Sequence, residues 1–295
     1  DVTINGKVGD SYTTTVADDI PSKYELVTEP DNKNGTMTED QIVVTYYYRL
    51  TDTSVLVHHY KEGTTESLSD DVTINGKVDD SYTTTVANDI PSKYELVAEP
   101  DNKNGTMTED QIVVTYYYRL KDTSVLVHHY IEGTTTQLSD DVTINGKVDD
   151  SYTTTVANDI PSKYELVAEP DNKNGTMTED QIVVTYYYRL KDTSVLVHHY
   201  IEGTTTQLSD DVTINGKVGD SYTTTVADDI PSKYELVTEP DNKNGTMTED
   251  QIVVTYYYRL TDTSVLVHHY KEGTTESLSD DVTINGKVDD SYTTT

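Results

Sequence analysis

The sequence predicts an α+β protein, mostly β, assembled as a tandem array of small modules, and three observations carry that prediction. The 295-residue chain nearly superimposes on itself at an offset of 70 residues. Within each period, short runs of β-branched and aromatic residues are punctuated by Gly, Pro, Asn and Asp. Hydrophobic residues make up 34% of the chain, below the ~45–50% of an ordinary globular domain, so the apolar core has to be divided into small pieces.

Residues 1 to 70 recur letter for letter at 211 to 280, and residues 71 to 140 at 141 to 210. The two versions differ at seven positions: Gly9, Asp18, Thr28, Thr51, Lys61, Glu66 and Ser67 of the first become Asp79, Asn88, Ala98, Lys121, Ile131, Thr136 and Gln137 of the second. Their order is first, second, second, first, and residues 281 to 295 open another second-type copy, an arrangement that also admits a longer period of 210.

One period gives the elements in order. Ser124 to Tyr130 reads as a strand, and Asp141 to Asn145 as a second after the turn-like Glu132-Gly133-Thr134. Asp149, Asp150 and Ser151 are helix-start residues and Pro161 is a stop, which predicts one or two helical turns over Asp149 to Asp159. Tyr164 to Glu169 is a strand, and Asn174-Gly175 signals a type I′ hairpin leading into Thr176-Met177. Gln181 to Leu190 is the longest run, about 33 Å if extended.

One helix in this strand order, with the first and last strands parallel and adjacent at the centre, is the ubiquitin-like β-grasp arrangement. Only Lys191, Asp192 and Thr193 separate one long strand from the next module's opening strand, which leaves little hinge freedom. The modules therefore run 53–122, 123–192 and 193–262, with partial modules at 1–52, lacking the first strand, and 263–295, stopping early. The incomplete ends suggest a window of a longer repetitive protein; polymerisation by donated strands is the alternative.

Alternation along the long strand places Ile182, Val184, Tyr186, Tyr188 and Leu190 on the core face, where Val142, Ile144, Val156, Tyr164 and Leu166 should meet them. Val183, Thr185, Tyr187 and Arg189 face outward. The opening strand is ambiguous, with Val125, Val127 and His129 on one face and Leu126, His128 and Tyr130 on the other.

Charge and composition exclude several functions. With 53 Asp+Glu against 21 Lys+Arg the net charge is -32, spread evenly over the copies. Such a chain repels nucleic acid and anionic membranes, and mutual repulsion of modules favours an extended rod. The absence of Cys removes disulfides, zinc-thiolate and iron-sulfur sites and thiol nucleophiles. No apolar run reaches the ~20 residues of a membrane-spanning helix.

No nucleophile, acid and base constellation repeats, so catalysis is rejected. The adjacent pairs His58-His59, His128-His129, His198-His199 and His268-His269 point to opposite strand faces and read as structural. Asp101-Asn102-Lys103-Asn104-Gly105 fails the calcium-loop pattern because Lys103 stands where an oxygen ligand belongs. No cofactor is expected, although Asp122, Asp140 and Asp141 could gather calcium at a module junction. Lys77, Lys93 and Lys103 lie near turns and read as exposed, against an isopeptide link to Asn. The outward Tyr and Arg of the long strand, Tyr47 and Arg49, Tyr117 and Arg119, Tyr187 and Arg189, Tyr257 and Arg259, form the candidate partner face. A Tyr ring can stack on a sugar and an Arg can hold a carboxylate such as that of sialic acid.

The succession VLVHHYIEGT, TINGKVDDSYTT, IPSKYELV and NGTMTEDQIVVTYYYR resembles the MucBP repeat, the mucin-binding-protein module of Gram-positive bacterial surface proteins. Its Gly-x-x-Gly element stands as Gly6-Lys7-Val8-Gly9 and Gly216-Lys217-Val218-Gly219, whereas second-type copies carry Asp79 or Asp149 at the second Gly. If that position needs positive φ, Asp is tolerated less well than Gly. The resemblance implies a β-grasp-like module, an extracellular location at the cell surface or wall, and adhesion to host mucus. The first functional reading is a stalk that holds a distal domain away from the cell wall. The second is direct binding of mucin or other host glycans by the repeats, and the third a self-associating extracellular fibre.

Overall fold

The Thr-Thr-Thr-Val run that follows Ser-Tyr in four copies decides the fold class. In the computed structural model, which describes residues 1 to 294, Ser151–Thr153 is a short strand followed by irregular chain, so the helical turns expected over Asp149 to Asp159 are absent. The α+β class is thereby corrected: no helix occurs among the described residues. Three causes act together. β-Branched Thr and Val are stiff at χ1 and favour extended backbone. Asp149 has φ 73°, outside the helical region. Asp150 Oδ2 accepts a hydrogen bond from the upstream Lys147 N at 2.7 Å, closing a turn instead of capping a downstream N–H.

The chain divides into two compact units, Asp1–Val125 with Ile144–Tyr152 and Gly175–Ile182, and Leu126–Thr143 with Thr153–Asn174 and Val183–Thr295. Each holds one complete repeat. In the second unit that repeat comprises β1 (Asp192–Ile201), β2 (Gln207–Lys217), β3 (Ser221–Thr223), β4 (Tyr234–Thr238), β5 (Asn244–Thr246) and β6 (Ile252–Leu260). The main sheet has the order β2-β1-β6-β4, and β3 pairs with β5 in a two-stranded sheet. β1 and β6 are parallel and central, in register from Val195↔Ile252 to Ile201↔Tyr258, as the sequence suggested. The repeat in the first unit has the same order and the same parallel register, Val55↔Ile112 to Lys61↔Tyr118. The ubiquitin-like β-grasp expectation survives only as this central pair, since no helix packs across the sheet.

β1 and β2 join at Glu202-Gly203-Thr204, where Gly203 takes φ 71° and Thr204 N donates to Ile201 O at 3.0 Å. This turn needs glycine. Asn244-Gly245 does not: the pair lies inside β5, opposite Tyr222 and Thr223, so the expected type I′ hairpin at the equivalent Asn174-Gly175 is wrong. The chain reverses earlier, where Lys243 N donates to Pro240 O at 3.1 Å. Gly245 serves close approach instead: a Cβ there would stand 3.2 Å from the Tyr222 hydroxyl oxygen and 3.3 Å from its ring edge, closer than ordinary van der Waals contact.

The inward face of β6 is as the alternation predicted, with Val254, Tyr256 and Tyr258 buried. They pack with Val195, Val197, Tyr222 and Met247, and half-buried Leu208, Ile214, Ile230, Tyr234, Leu236 and Ile252 close the cluster. The ambiguous opening strand thus turns Val195, Val197 and His199 inward. Val142 and Val156, assigned to the core from the sequence, are instead 50% and 43% exposed, because the second strand and the irregular segment present the opposite residues.

With no Phe or Trp in the chain, every large buried aromatic brings a polar atom inside. Thr224 Oγ1 donates to Lys243 O at 2.9 Å, which leaves it to accept from the Tyr256 hydroxyl at 2.9 Å. Tyr222 OH donates to Asn242 O at 3.0 Å. The Tyr258 hydroxyl meets His199 Nδ1 at 3.0 Å, and the imidazole stacks on Tyr256 with centroids 5.1 Å apart. Among the described residues no buried side-chain polar atom lacks a partner.

His199 is 2% exposed, and burial holds its pKa below the usual imidazole value; the same holds for His59 and His129. Nearby Asp229 and Asp211 oppose the shift, and His198 reinforces it. A depressed folded pKa means that the unfolded chain takes up the proton first, so the stability these rings contribute is present above about pH 6.5 and is lost as pH falls through the folded value. The melting temperature is expected to drop between pH 7.5 and 5.5, and less steeply in a chain with His59, His129 and His199 all changed to Gln; equal slopes would refute the assignment. Independently, Gly105, Gly175 and Gly245 changed together to Ala should cost about 1 kcal/mol per repeat through overpacking against the tyrosine ring, read by thermal or denaturant unfolding.

Candidate functional site

The outward face of the main sheet is built by the same alternation that builds the core. β6 presents Val253, Thr255, Tyr257 and Arg259, and the parallel register sets Leu196, His198 and Tyr200 of β1 beside the first three. On the other side β4 brings Glu235 opposite Arg259 and Thr238 opposite Tyr257, with a bulge between Leu236 and Thr238. The bulge leaves Val237 and Thr238 beside the Tyr257 ring.

Tyr257 is 43% exposed and lines a shallow cleft with the turn Glu202-Gly203-Thr204, Thr205, Thr206, Val237 and Thr238. The equivalent cleft recurs in the first unit, lined by Glu62, Gly63, Thr64, Val97 and Tyr117. Tyr117 and Tyr187 have the same exposure as Tyr257, and Tyr47 is more exposed at 69%. An apolar ring beside a wall of valine and threonine hydroxyls offers stacking and neutral hydrogen bonding together.

Each candidate Arg is already engaged. Arg259 Nε donates to Glu235 Oε1 at 2.7 Å, Arg119 to Glu95 and Arg189 to Glu165 at 2.8 Å, and Arg49 to Glu25 at 2.6 Å. The glutamate holds each guanidinium above its usual range, first by this hydrogen bond and then by its charge. A ligand carboxylate would have to approach beside an existing one. The sequence shows both strands but not their pairing, which alone sets the glutamates against the arginines; Glu and Arg directly across two antiparallel strands is the signal that identifies them.

The histidine pairs split between the faces as expected of adjacent strand residues. His199 is in the core, whereas His198 Nδ1 lies 2.7 Å from Asp211 Oδ1 and its ring stacks on Tyr200 at 4.9 Å. The acids proposed to gather at a junction are not brought to one point: Asp122 Oδ1 binds Lys147 Nζ at 2.7 Å, and Asp141 Oδ1 lies 2.7 Å from His128 Nδ1. Among the described residues no group of three or more His, Cys, Asp or Glu is placed to hold a metal ion. Lys77, Lys93 and Lys103 form ion pairs with Asp52, Asp149 and Glu99 at the surface.

Comparison with known proteins agrees with this architecture of repeated units. The MucBP domain matches residues 1–49, 54–119, 124–189, 194–259 and 264–295. Internalin J of Listeria monocytogenes serotype 4b (strain F2365) is 33% identical over 304 residues, covering 100% of this chain and 32% of the relative. Internalin J of serovar 1/2a of the same species is 34% identical over 244 residues, covering 80% and 28%. The chain thus spans about a third of the length of these curated relatives. Among solved structures, the type 2 repeat of the mucus binding protein MUB from Lactobacillus reuteri is 14% identical, covers 47% of this chain and 100% of that one, and has a TM-score of 0.21, a likeness too remote to bear on the fold. With matches tiling almost every residue at the spacing of the internal repeat, the chain belongs to the MucBP domain family.

Proposed function

We propose that this chain is the repeat region of a protein displayed outside a Gram-positive cell, where successive modules act as a spacer that carries a distal domain away from the wall. The observation that supports it most is the connection between modules. One residue, Lys191, separates the closing strand ending at Leu190 from the opening strand beginning at Asp192. Both of its backbone groups are used: Lys191 N donates to Lys163 O at 3.0 Å, and Val218 N donates to Lys191 O at 3.1 Å. A linker with no unbonded peptide group on which to pivot suits reach better than wrapping. Similarity to Internalin J over the full chain supports placement in a larger protein of that kind.

A second reading, glycan binding by the repeats, is favoured by the recurring cleft at Tyr117 and Tyr257 and by the family's name. The geometry alters its chemistry from that expected. With each Arg held by Glu and the chain strongly acidic, the cleft suits stacking of a neutral sugar better than capture of sialic acid.

Deleting residues 141 to 210 removes one full period, and small-angle scattering should show the maximum dimension falling by one module length with an unchanged cross-section; an unchanged maximum dimension would sink the spacer reading. Changing Tyr47, Tyr117, Tyr187 and Tyr257 to Ala should abolish retention on immobilised mucin while the melting temperature holds, because the rings lie outside the core. If mucin is retained equally by both chains, the cleft is not the binding site.

A further inference from the structure

The seven positions that distinguish the two repeat types are not scattered at random over the surface. Four of them carry ion pairs in one type and not in the other. Lys61 pairs with Glu66 across the β-hairpin at 3.5 Å, and in second-type copies both are replaced, by Ile131 and Thr136. The other two, Gly9/Asp79 and Thr51/Lys121, lie where one module meets the next.

At each junction the trailing end of one module offers a fixed Ser-Lys pair and the variable Thr or Lys. The leading end of the next offers a fixed Glu and the variable Gly or Asp. Where module 53–122 meets the following module, Lys93 binds Asp149 at 2.7 Å, Lys121 binds Glu179 at 3.1 Å and Ser92 donates to the same Glu179 at 2.5 Å. The Glu179 carboxyl lies below its usual range through the Ser92 and Lys121 hydrogen bonds. Two cations there face two anions. Where module 193–262 is entered, Lys191 binds Glu249 at 3.0 Å and Ser162 donates to Glu249 at 2.5 Å, but Gly219 stands at the position of Asp149 and offers Lys163 no carboxylate. At the entry to module 53–122 the case is reversed: Lys23 binds Asp79 at 2.6 Å, and Thr51 stands in place of the second cation.

The backbone gives no local reason to prefer the acid. Asp79, Asp149 and Asp289 adopt φ of 73°, 73° and 69°, a left-handed conformation that Gly9 and Gly219 occupy without strain. Asp is locally the poorer choice at this position. All three nevertheless meet a lysine of the preceding module, at 2.7 Å in the pairs formed by Lys93 and Lys233.

We propose that the order of repeat types programmes the firmness of each junction: the trailing end of a module is a docking surface whose preferred partner is a second-type leading end, and a second-type trailing end followed by a second-type leading end gives the charge-balanced, tightest joint. A first-type leading end loosens the joint by removing one pair. The inference stands on the junction residues and is independent of what the array carries or binds.

The test uses the full chain, which has no native cysteine. Spin labels at Asp101→Cys and Asp171→Cys span the doubly paired joint, and labels at Asp171→Cys and Asp241→Cys span the singly paired one. At low ionic strength the distance distribution measured by double electron–electron resonance should be narrower for the first pair. Asp149→Gly should widen it to match the second, and Gly219→Asp should narrow the second to match the first. Each substitution installs a residue that the other repeat type already carries at that position, so folding is preserved. In about 1 M NaCl, where the Debye length is about 3 Å, the two widths should converge. Equal widths at low ionic strength, unmoved by either substitution, would overturn the proposal.

Discussion

The structure depends on the need to satisfy polar atoms inside a core whose large rings are tyrosine and histidine. A phenylalanine core would accept many packings, whereas a buried hydroxyl without a partner carries a desolvation penalty that a small module cannot absorb. The hydroxyls of Tyr222 and Tyr256 are met by the carbonyls of Asn242 and Lys243, directly in one case and through Thr224 in the other. These bonds draw the segment before β5 and the residues after β3 together over the sheet. The job a helix would do in a β-grasp is done here by irregular chain fastened at tyrosine tips. Once the inner face is fixed in this way, alternation fixes the outer one, and Tyr257 and Arg259 have nowhere else to point.

Much of this was legible in the sequence, because it depended on local periodicity. The repeat follows from comparing the chain with itself, and the Gly203-type turn and the inward set of the long strand from patterns within a single period; the central parallel pair was expected as part of a β-grasp order whose helix is absent. The failures share a cause: the local signal was real, but a longer-range partner overrode it. Asn174-Gly175 has the chemistry of a tight turn, yet it lies inside a strand with Gly175 against Tyr152, where a Cβ would stand 3.2 Å from the hydroxyl oxygen. Asp149 and Asp150 have the chemistry of a helix start, yet they serve a turn that returns to Lys147. Val156 has the chemistry of core but sits in a segment whose tether is the neighbouring Thr154, bonded to Lys173 O at 2.9 Å. At the outward face the glutamates opposite each Arg were invisible until the strand pairing was known.

Acidity and surface pairing have to be weighed together. The chain is heavily anionic, yet most of its few cations are committed to carboxylates nearby, either across a strand, as in Arg119 with Glu95, or across a joint, as in Lys121 with Glu179. Exposed pairs of this kind add little to the stability of a module and are weakened by salt. Their value lies in geometry: they choose which neighbouring group a flexible side chain rests against. In an array of near-identical units, a bias of that sort is repeated at every period.

The parallel pairing of β1 and β6 has a mechanical corollary. The chain enters a module at the foot of one central strand and leaves at the head of the strand beside it, so tension between entry and exit drags the two past each other lengthwise. The hydrogen bonds of that ladder then share the load at once instead of parting one after another, as they would in a peeled hairpin. Tension applied along the chain would therefore load each module in shear.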